Sequence, residues 1–566
     1  MKESCAALCV LGMWLAYPAD TIAAEPIDES PALWQEDDRG DVEAPEARHP
    51  NVAWDAVHDS FVLPFYRATH PARAVRRLSG LWGGDHAPRA VNVNSYDEVP
   101  NSSWFTNRIG IRSMTPAEVA RGPSGVAGPD LSGPWWVIKA KTEGVTPGFN
   151  IRDVTGQVYV LKFDPSAFPA MSSAAGVIGG RLLHAAGYNV PYDSIVYFSR
   201  SQLVLPEGVM FRLPDGTRRP MVRADLDRVL DSVDPGGGGT IRALASRFLD
   251  GRPLGPFDFR GRRRDDPNDR VNHENRRELR GLAVVAAWIG HFDTKQNNTL
   301  DMYVEEDGVR FVRHYLIDFA STLGAAADFP SPRFGYEYGF DWARIARRAL
   351  SVGFYEDGWR RLQRPEGLPE VGYFESETYD PGSFRAIQPN SAFANLTAAD
   401  GYWAAKIVSA FTDAQIRAAV SEGQYVDGAA EDHICRILGE RRDKTVFAWF
   451  ERVPPLDHFR ADGQVVRFSD LGVVRGFYDP SATRYRYRVA DVTHAGTRVS
   501  ESVWCPVVSS SISVVDGPCG SAGLTDSVSW APLCEVEVQL NRGHGWSAST
   551  RAYYSRTSGR VVSVRR

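Results

Sequence analysis

Residues 288–324 read WIGHFDTKQNNTLDMYVEEDGVRFVRHYLIDFASTLG, in which the acidic residues Asp293 and Asp318 and an amide pair, Asn297 and Asn298, are set around a β-hairpin. TLDMYV has strand character, the EEDG turn reverses the chain, and VRFVRHYLIDF returns. This path delivers Asp318 beside Asp293 and Asn298 at the mouth of the hairpin. Asp293 follows a helix and a short break, where a side chain projects into a cleft. Carboxylates and an amide oxygen are the donors a hard cation takes, so Asp293, Asp318 and Asn298 together read as a site for a divalent cation such as Mg²⁺ or Mn²⁺. Lys295 stands between Asp293 and Asn298, placed to neutralise charge on a transferred phosphate. Phosphoryl transfer needs these parts and little else: a carboxylate to orient the acceptor hydroxyl, oxygen ligands for the metal, and cations over the phosphates. His291 and Asn297 read as structural residues of the turn.

The chain before this stretch supplies a sheet and a helix. Residues 134–163 read as three strands, and the alternation of Val158, Val160 and Lys162 against Tyr159, Leu161 and Phe163 fits a buried sheet. Gly144 and Gly148, in the turn between the first two strands, allow a close backbone approach to a bound phosphate or form an ordinary hairpin. Residues 171–191 predict a helix capped by Ser172 or Ser173, ended by Gly187 and followed by Pro191. Two further strands, DSIVYFSR and QLVLPEGVMF, come next. A strand or short helix at 241–259 leads into a Gly/Pro-rich bend. Asn272 is placed to cap a helix ending at Gly290 whose buried side carries Leu279, Leu282, Val285, Ala286 and Ile289. Thr115, followed by Pro116 and closed by Gly122, marks a short helix farther upstream.

Beyond Gly324 the pattern turns helical: ARIARRALSVGFY, GYWAAKIVSAFTDAQIRAAVSEGQY and DHICRILGERRDKTVFAWFERV are amphipathic, with capping signals at Thr397/Asp400 and Thr412/Gln415. From Phe459 onward short alternating segments predict a separate β-sandwich-like domain. The expected boundaries are a signal peptide over 1–24, an N-terminal linker and extension over 25–133, a small β-rich lobe over 134–255, a helical large lobe over 256–458, and the β domain over 459–566.

The 566 residues suffice for several domains, and 43% hydrophobic with 24% charged residues is a globular composition. A net charge of −6 gives no global pull toward nucleic acid or an anionic membrane, and the interleaved acids in the Arg-rich stretch 260–281 argue against nucleic acid as a partner. Lys2, an apolar run from Cys5 to Tyr17 and the small residues before Glu25 read as a secretory signal, so the protein is expected to be exported (periplasmic, cell-surface or secreted). No stretch is long enough to anchor it across a membrane. One disulfide among Cys435, Cys505, Cys519 and Cys534 fits that setting, with the pairing left open. No Ser-His-Asp, G-x-S-x-G or H-E-x-x-H pattern points to a hydrolase.

The motif His291-x-Asp293-x-Lys295-x-x-Asn298, with Asp318-Phe319-Ala320 after a hairpin and Lys162 in a Val-Leu-Lys strand, resembles the protein-kinase-like superfamily. The likeness extends more loosely to its atypical branch of lipid kinases and HipA-type toxin kinases. The resemblance implies an α+β, two-lobed fold over about residues 134–455. It implies ATP as donor, Asp293 as catalytic base, Asn298 and Asp318 on Mg²⁺, Lys162 on the nucleotide phosphates, and an acceptor left unnamed. Three departures stand against it: no glutamate lies between Lys162 and Glu207 to pair the lysine, no G-x-G-x-x-G loop precedes it, and Phe292 replaces the arginine of the catalytic triplet. Asp164 is the acid nearest Lys162 in sequence. Two other readings follow: an inactive pseudokinase that binds nucleotide or acts as a scaffold, and a cell-surface protein that works through its C-terminal β domain.

Overall fold

The computed structural model describes residues 26–27, 29–49, 57–62, 65, 87–123, 128–140, 148–212, 217–233, 239–326, 329–352, 354–507, 510–513 and 531–566. The expected signal segment and Gly144 lie outside them. The chain forms two units, one of Met1–Leu33, Asn94–Asp97 and Pro454–Arg566, the other of Trp34–Val93 and Glu98–Val453. Both α and β elements build the larger unit, which is of α+β class.

In the larger unit a curled six-stranded sheet has the order β4-β8-β3-β2-β1-β5. Its strands are β1 (Trp135–Ala140), β2 (Gly148–Arg152), β3 (Val158–Lys162), β4 (Asp193–Phe198), β5 (Leu203–Val204) and β8 (Ile241–Arg247). Two short strands, β6 (Met210–Arg212) and β7 (Arg218–Pro220), pair separately. The period of two in β3 puts Tyr159 and Leu161 into one core with Trp135, Phe149 and Ile151. Leu226 and Leu230 of a helix over Arg223–Val233 close that core. The sequence reading did not resolve this helix. The 241–259 region forms two strands, β8 and then β9 (Arg252–Gly255), and no helix.

The opposite face of the sheet carries Val160, Lys162, Ser246, Leu244, Asp193 and Ile195 by register. The helix Met171–Ala186 lies on it, with Val177 packed on Ile195 and Leu244. In chain order the helices named here are α1 (Pro116–Arg121), α2 (Met171–Ala186), α3 (Arg223–Val233), α4 (Arg277–Ile289), α5 (Trp342–Leu350), α6 (Ala398–Ser409), α7 (Asp413–Ser421) and α8 (Gly428–Phe450). Thr115, Thr397 and Thr412 form capping boxes with Glu118, Asp400 and Gln415, so these three starts are local in origin.

Two predicted caps are replaced by distant groups. Ser172 and Ser173 do not cap α2; its N-cap is Ala170 at φ 61, and Asp164 accepts from the amides of Ser172 and Ser173 at 2.9 Å each. Asn272 does not cap α4 either. That helix begins after Arg276, and Asn92 Oδ1 accepts from the Arg277 amide at 2.9 Å. A side chain far away in sequence satisfies an orphan helix amide as well as an adjacent one does. Gly290 ends α4 in the left-handed conformation at φ 68, as its position predicts.

The hairpin is β10 (Thr299–Glu306) with β11 (Val309–Leu316), turned by Asp307 and Gly308 at φ 51 and 79, the pair of positive values a tight two-residue turn requires. Helix α4 packs against α6 and α8, while α7 packs against α1 and α2.

In the smaller unit a three-stranded sheet, β12-β13-β17, and a second sheet, β15-β14-β18-β19-β20 with β16 beside β14, share one core. The strands run β12 (Leu456–Asp462), β13 (Val465–Asp470), β14 (Arg484–Val492), β15 (Arg498–Glu501), β16 (Cys505–Val507), β17 (Ser511–Ser513), β18 (Leu533–Asn541), β19 (Thr550–Ser555) and β20 (Arg560–Arg565). Cys505 is disulfide-bonded, whereas Cys435 and Cys534 carry free thiols. Among the described residues no helix is long and apolar enough to cross a membrane.

Candidate functional site

The turn after α4 is held by its own backbone. The amide of Lys295 donates to Asp293 O at 2.9 Å and that of Asn298 to Lys295 O at 2.9 Å. Asn298 Nδ2 donates to Asp293 O at 2.8 Å and to Asp293 Oδ2 at 2.9 Å, and Lys295 Nζ stands 2.8 Å from Asp293 Oδ1. The three residues read as one constellation in the sequence are therefore one hydrogen-bonded cluster. Because the Asn298 nitrogen is spent on Asp293, its amide oxygen is left for another partner. Asn297 Oδ1 is buried without a hydrogen bond.

Asp318 follows β11 and adopts φ 62, a conformation rare outside glycine and best tolerated by Asp and Asn. Its carboxylate is 2.7 Å from Lys162 Nζ at the end of β3. Ile317, the residue before it, donates its amide to Asn298 O at 3.0 Å, which ties the Asp318 strand end to the Asp293 turn. Lys162 thus has an acidic partner, and it is Asp318. The nearer acid in sequence, Asp164, is committed to the start of α2, where it also accepts from the Ser173 hydroxyl and pairs with Arg242. Gly148 sits opposite Lys162 in the β2–β3 ladder, in a regular strand position.

Helix α2 presents glycines to the Asp318–Thr322 segment. A Cβ on Gly179 would stand 3.1 Å from Phe319 Cβ and 3.2 Å from the Thr322 side chain. Thr322 Oγ1 donates to Ala175 O at 2.8 Å and Ser172 Oγ to Ala326 O at 3.0 Å. The backbone approach is too close for a long side chain to fit between helix and loop. His291 is buried, and burial lowers its pKa below the usual imidazole value, so it is a neutral packing residue against Phe319. Phe292 stacks on Phe334 with centroids 4.3 Å apart.

One acidic residue escaped the sequence reading. Asp193, first in β4, is 4% exposed and shares the sheet face of Lys162. One of its oxygens has no hydrogen bond. Burial raises its carboxyl to about 6, against the lowering effect of a Ser246 hydrogen bond and of Lys162 and Arg181. Its only sequence signal is an acid opening an otherwise apolar strand. Because its folded-state value lies above the ordinary carboxylate range, the folded chain holds this proton longer. Stability from this group is therefore full below about pH 4 and falls as pH rises through about 6, by about 3 kcal/mol. Asp193→Asn is expected to flatten that part of the profile, read as the difference in urea midpoints between variant and parent at pH 4.5 and about pH 7.

Among the described residues no group of three His, Cys, Asp or Glu side chains is gathered for a metal. The donor set nevertheless suits Mg²⁺, which takes one or two protein oxygens and fills its octahedron with phosphate and water. Asp318 and the free oxygen of Asn298 supply that number. Beside Lys295 a crevice of about 10 Å³, room for about one water, is lined by Asp258, Thr294, Gln296, Gln388 and Ser391, and Thr294 Oγ1 is buried there without a partner.

No family model matches the chain, and no curated protein matches it. Among solved structures, the Helicobacter pylori proinflammatory kinase CtkA is similar over 55% of this chain and 93% of that one, at 9% identity and a TM-score of 0.27. At that score the likeness carries no argument about function.

Proposed function

We propose that this chain is an exported phosphotransferase of two-lobed, protein-kinase-like build. On this reading it transfers the terminal phosphoryl group of ATP, with Mg²⁺ or Mn²⁺, to a hydroxyl acceptor. The observation that carries the reading is the backbone bond from Ile317 to Asn298. It ties the Asp318 strand end, paired with Lys162, to the Asp293–Lys295–Asn298 turn, which supports reading them as parts of one phosphoryl-transfer site. Asp293 accepts the acceptor's proton, and Asn298 and Lys295 fix its carboxylate for that task. Asp318 and Asn298 would hold the metal, which would supply neutralisation of the charge that develops on the transferred group. Lys162, paired here with Asp318, would contact the phosphates, and Asp318 would serve the metal. The disulfide at Cys505 supports an oxidising compartment.

The test is transfer of labelled terminal phosphate from ATP by the full chain with Mg²⁺ and with Mn²⁺, to itself and to candidate acceptors. Transfer that vanishes in Asp293→Ala supports the reading. Nucleotide binding without transfer under either metal replaces it with a pseudokinase. Lys162→Met is expected to weaken nucleotide affinity about 10- to 100-fold, the loss of one charge-assisted hydrogen bond, as measured by calorimetry.

A further inference from the structure

Helix α5 is built inside out. Trp342, Ile345 and Leu350 share one side of it, and they are 53%, 40% and 84% exposed. The opposite side carries Arg344 and Arg348, and this is the side turned to the protein. Arg344 Nη1 donates to Asp357 Oδ1 at 2.6 Å, Arg348 Nε to Asp357 Oδ2 at 2.6 Å, and Arg348 Nη2 to Glu337 Oε2 at 2.5 Å. Asp357 and Glu337 are themselves buried. A surface helix ordinarily does the reverse, with its apolar stripe toward the core.

The apolar side continues past the helix. Val352 and Phe354 are 84% and 95% exposed, and Val352 holds φ 49, a strained value for a β-branched residue. The ring of Phe340 packs on Trp342 at 4.6 Å, and Phe61 joins it at 4.7 Å, so the patch is a built ridge of several elements. A ridge this apolar is an interaction surface.

Its charge selects the partner. Residues 337–364 hold six arginines against four acidic residues, a net charge of +2 in a chain of net −6. Arg347 and Arg360 are exposed and lie over the rings of Tyr355 and Trp359. A second copy docked through the same patch would set these cations against themselves. Apolar tips with flanking arginines match a bilayer whose headgroups are anionic, where tips enter the headgroup boundary and guanidiniums meet phosphate. We propose that the outer side of α5, with Leu350, Val352 and Phe354, seats this protein on an anionic lipid surface.

The test is co-sedimentation of the full chain with vesicles of phosphatidylglycerol and phosphatidylcholine, against vesicles of phosphatidylcholine alone. The expected result is reversible binding to the anionic vesicles only, largely released at about 0.5 M salt. L350D/F354D is expected to reduce partitioning at least about tenfold, because it replaces two inserted side chains with charges. R347E/R360E is expected to reduce it at least about tenfold and to remove most of the salt dependence. Circular dichroism melts and analytical ultracentrifugation accompany each variant. The proposal is overturned if the parent ignores anionic vesicles, if either folded double variant binds as well as the parent, or if the parent is a dimer that L350D/F354D dissociates without any vesicle binding.

Discussion

Asp293→Asn is expected to lower phosphoryl transfer by about 100- to 10,000-fold, the range for losing a positioned general base. The substitution is nearly isosteric. It keeps the backbone bond from Asn298 Nδ2 to Asp293 O, so the turn retains its shape, and it leaves the Lys162–Asp318 pair untouched. Nucleotide affinity is therefore expected to stay within about twofold, and the loss to fall on turnover. Lys295 gives the contrasting case: with its Nζ 2.8 Å from Asp293 Oδ1, removing it frees the carboxylate as well as a phosphate contact. A smaller loss of turnover in Asp293→Asn than in Lys295→Met would show that the base assignment is wrong. Initial rates with saturating nucleotide decide between the two.

Asp400→Ala is expected to cost about 3–5 kcal/mol of stability, the range for stripping the partner from a buried ion pair. Asp400 accepts from Arg277 Nε at 3.0 Å and from Arg280 Nη1 at 3.1 Å, and all three side chains are fully buried. It also completes the capping box of α6, accepting from the Thr397 amide at 3.1 Å. Both arginines lie in the first turns of α4, the helix whose far end delivers Asp293. The damage should therefore reach activity as a smaller folded fraction rather than a changed rate constant. Asp400→Asn keeps the cap and loses the charge, so it is expected to fall between parent and alanine variant. Urea unfolding followed by tryptophan fluorescence separates the three, since Trp288 and Trp403 are buried in α4 and α6.

The sequence made the Asp293 turn, the hairpin and the three Thr-led helix starts legible because each is a local arrangement, fixed within a few residues. Asp318 was legible as the residue that a tight turn returns to the start of its hairpin. Its partner was not, because the Lys162–Asp318 bond spans two elements and nothing near Lys162 announces it. The caps from Asp164 and Asn92 failed for the same reason: a helix amide takes any oxygen that packing brings to it. Helix α5 shows a further limit. Its periodicity is plain in ARIARRAL, yet periodicity fixes two sides and not which one faces inward. Asp357 and Glu337, buried beneath it, decide that by holding Arg344 and Arg348. Asp193 escaped because only the strand order β4-β8-β3 places it on the face of Lys162.

The central claim is that Asp318, Asn298 and Lys162 form a metal–nucleotide phosphate site. Calorimetric titration of ATP into the full chain, with Mg²⁺ and again with EDTA, tests it most directly when repeated on Asp318→Asn. Binding that requires the metal and is lost in the variant is the predicted result. Binding that is equal in EDTA, or unchanged by Asp318→Asn, would contradict it.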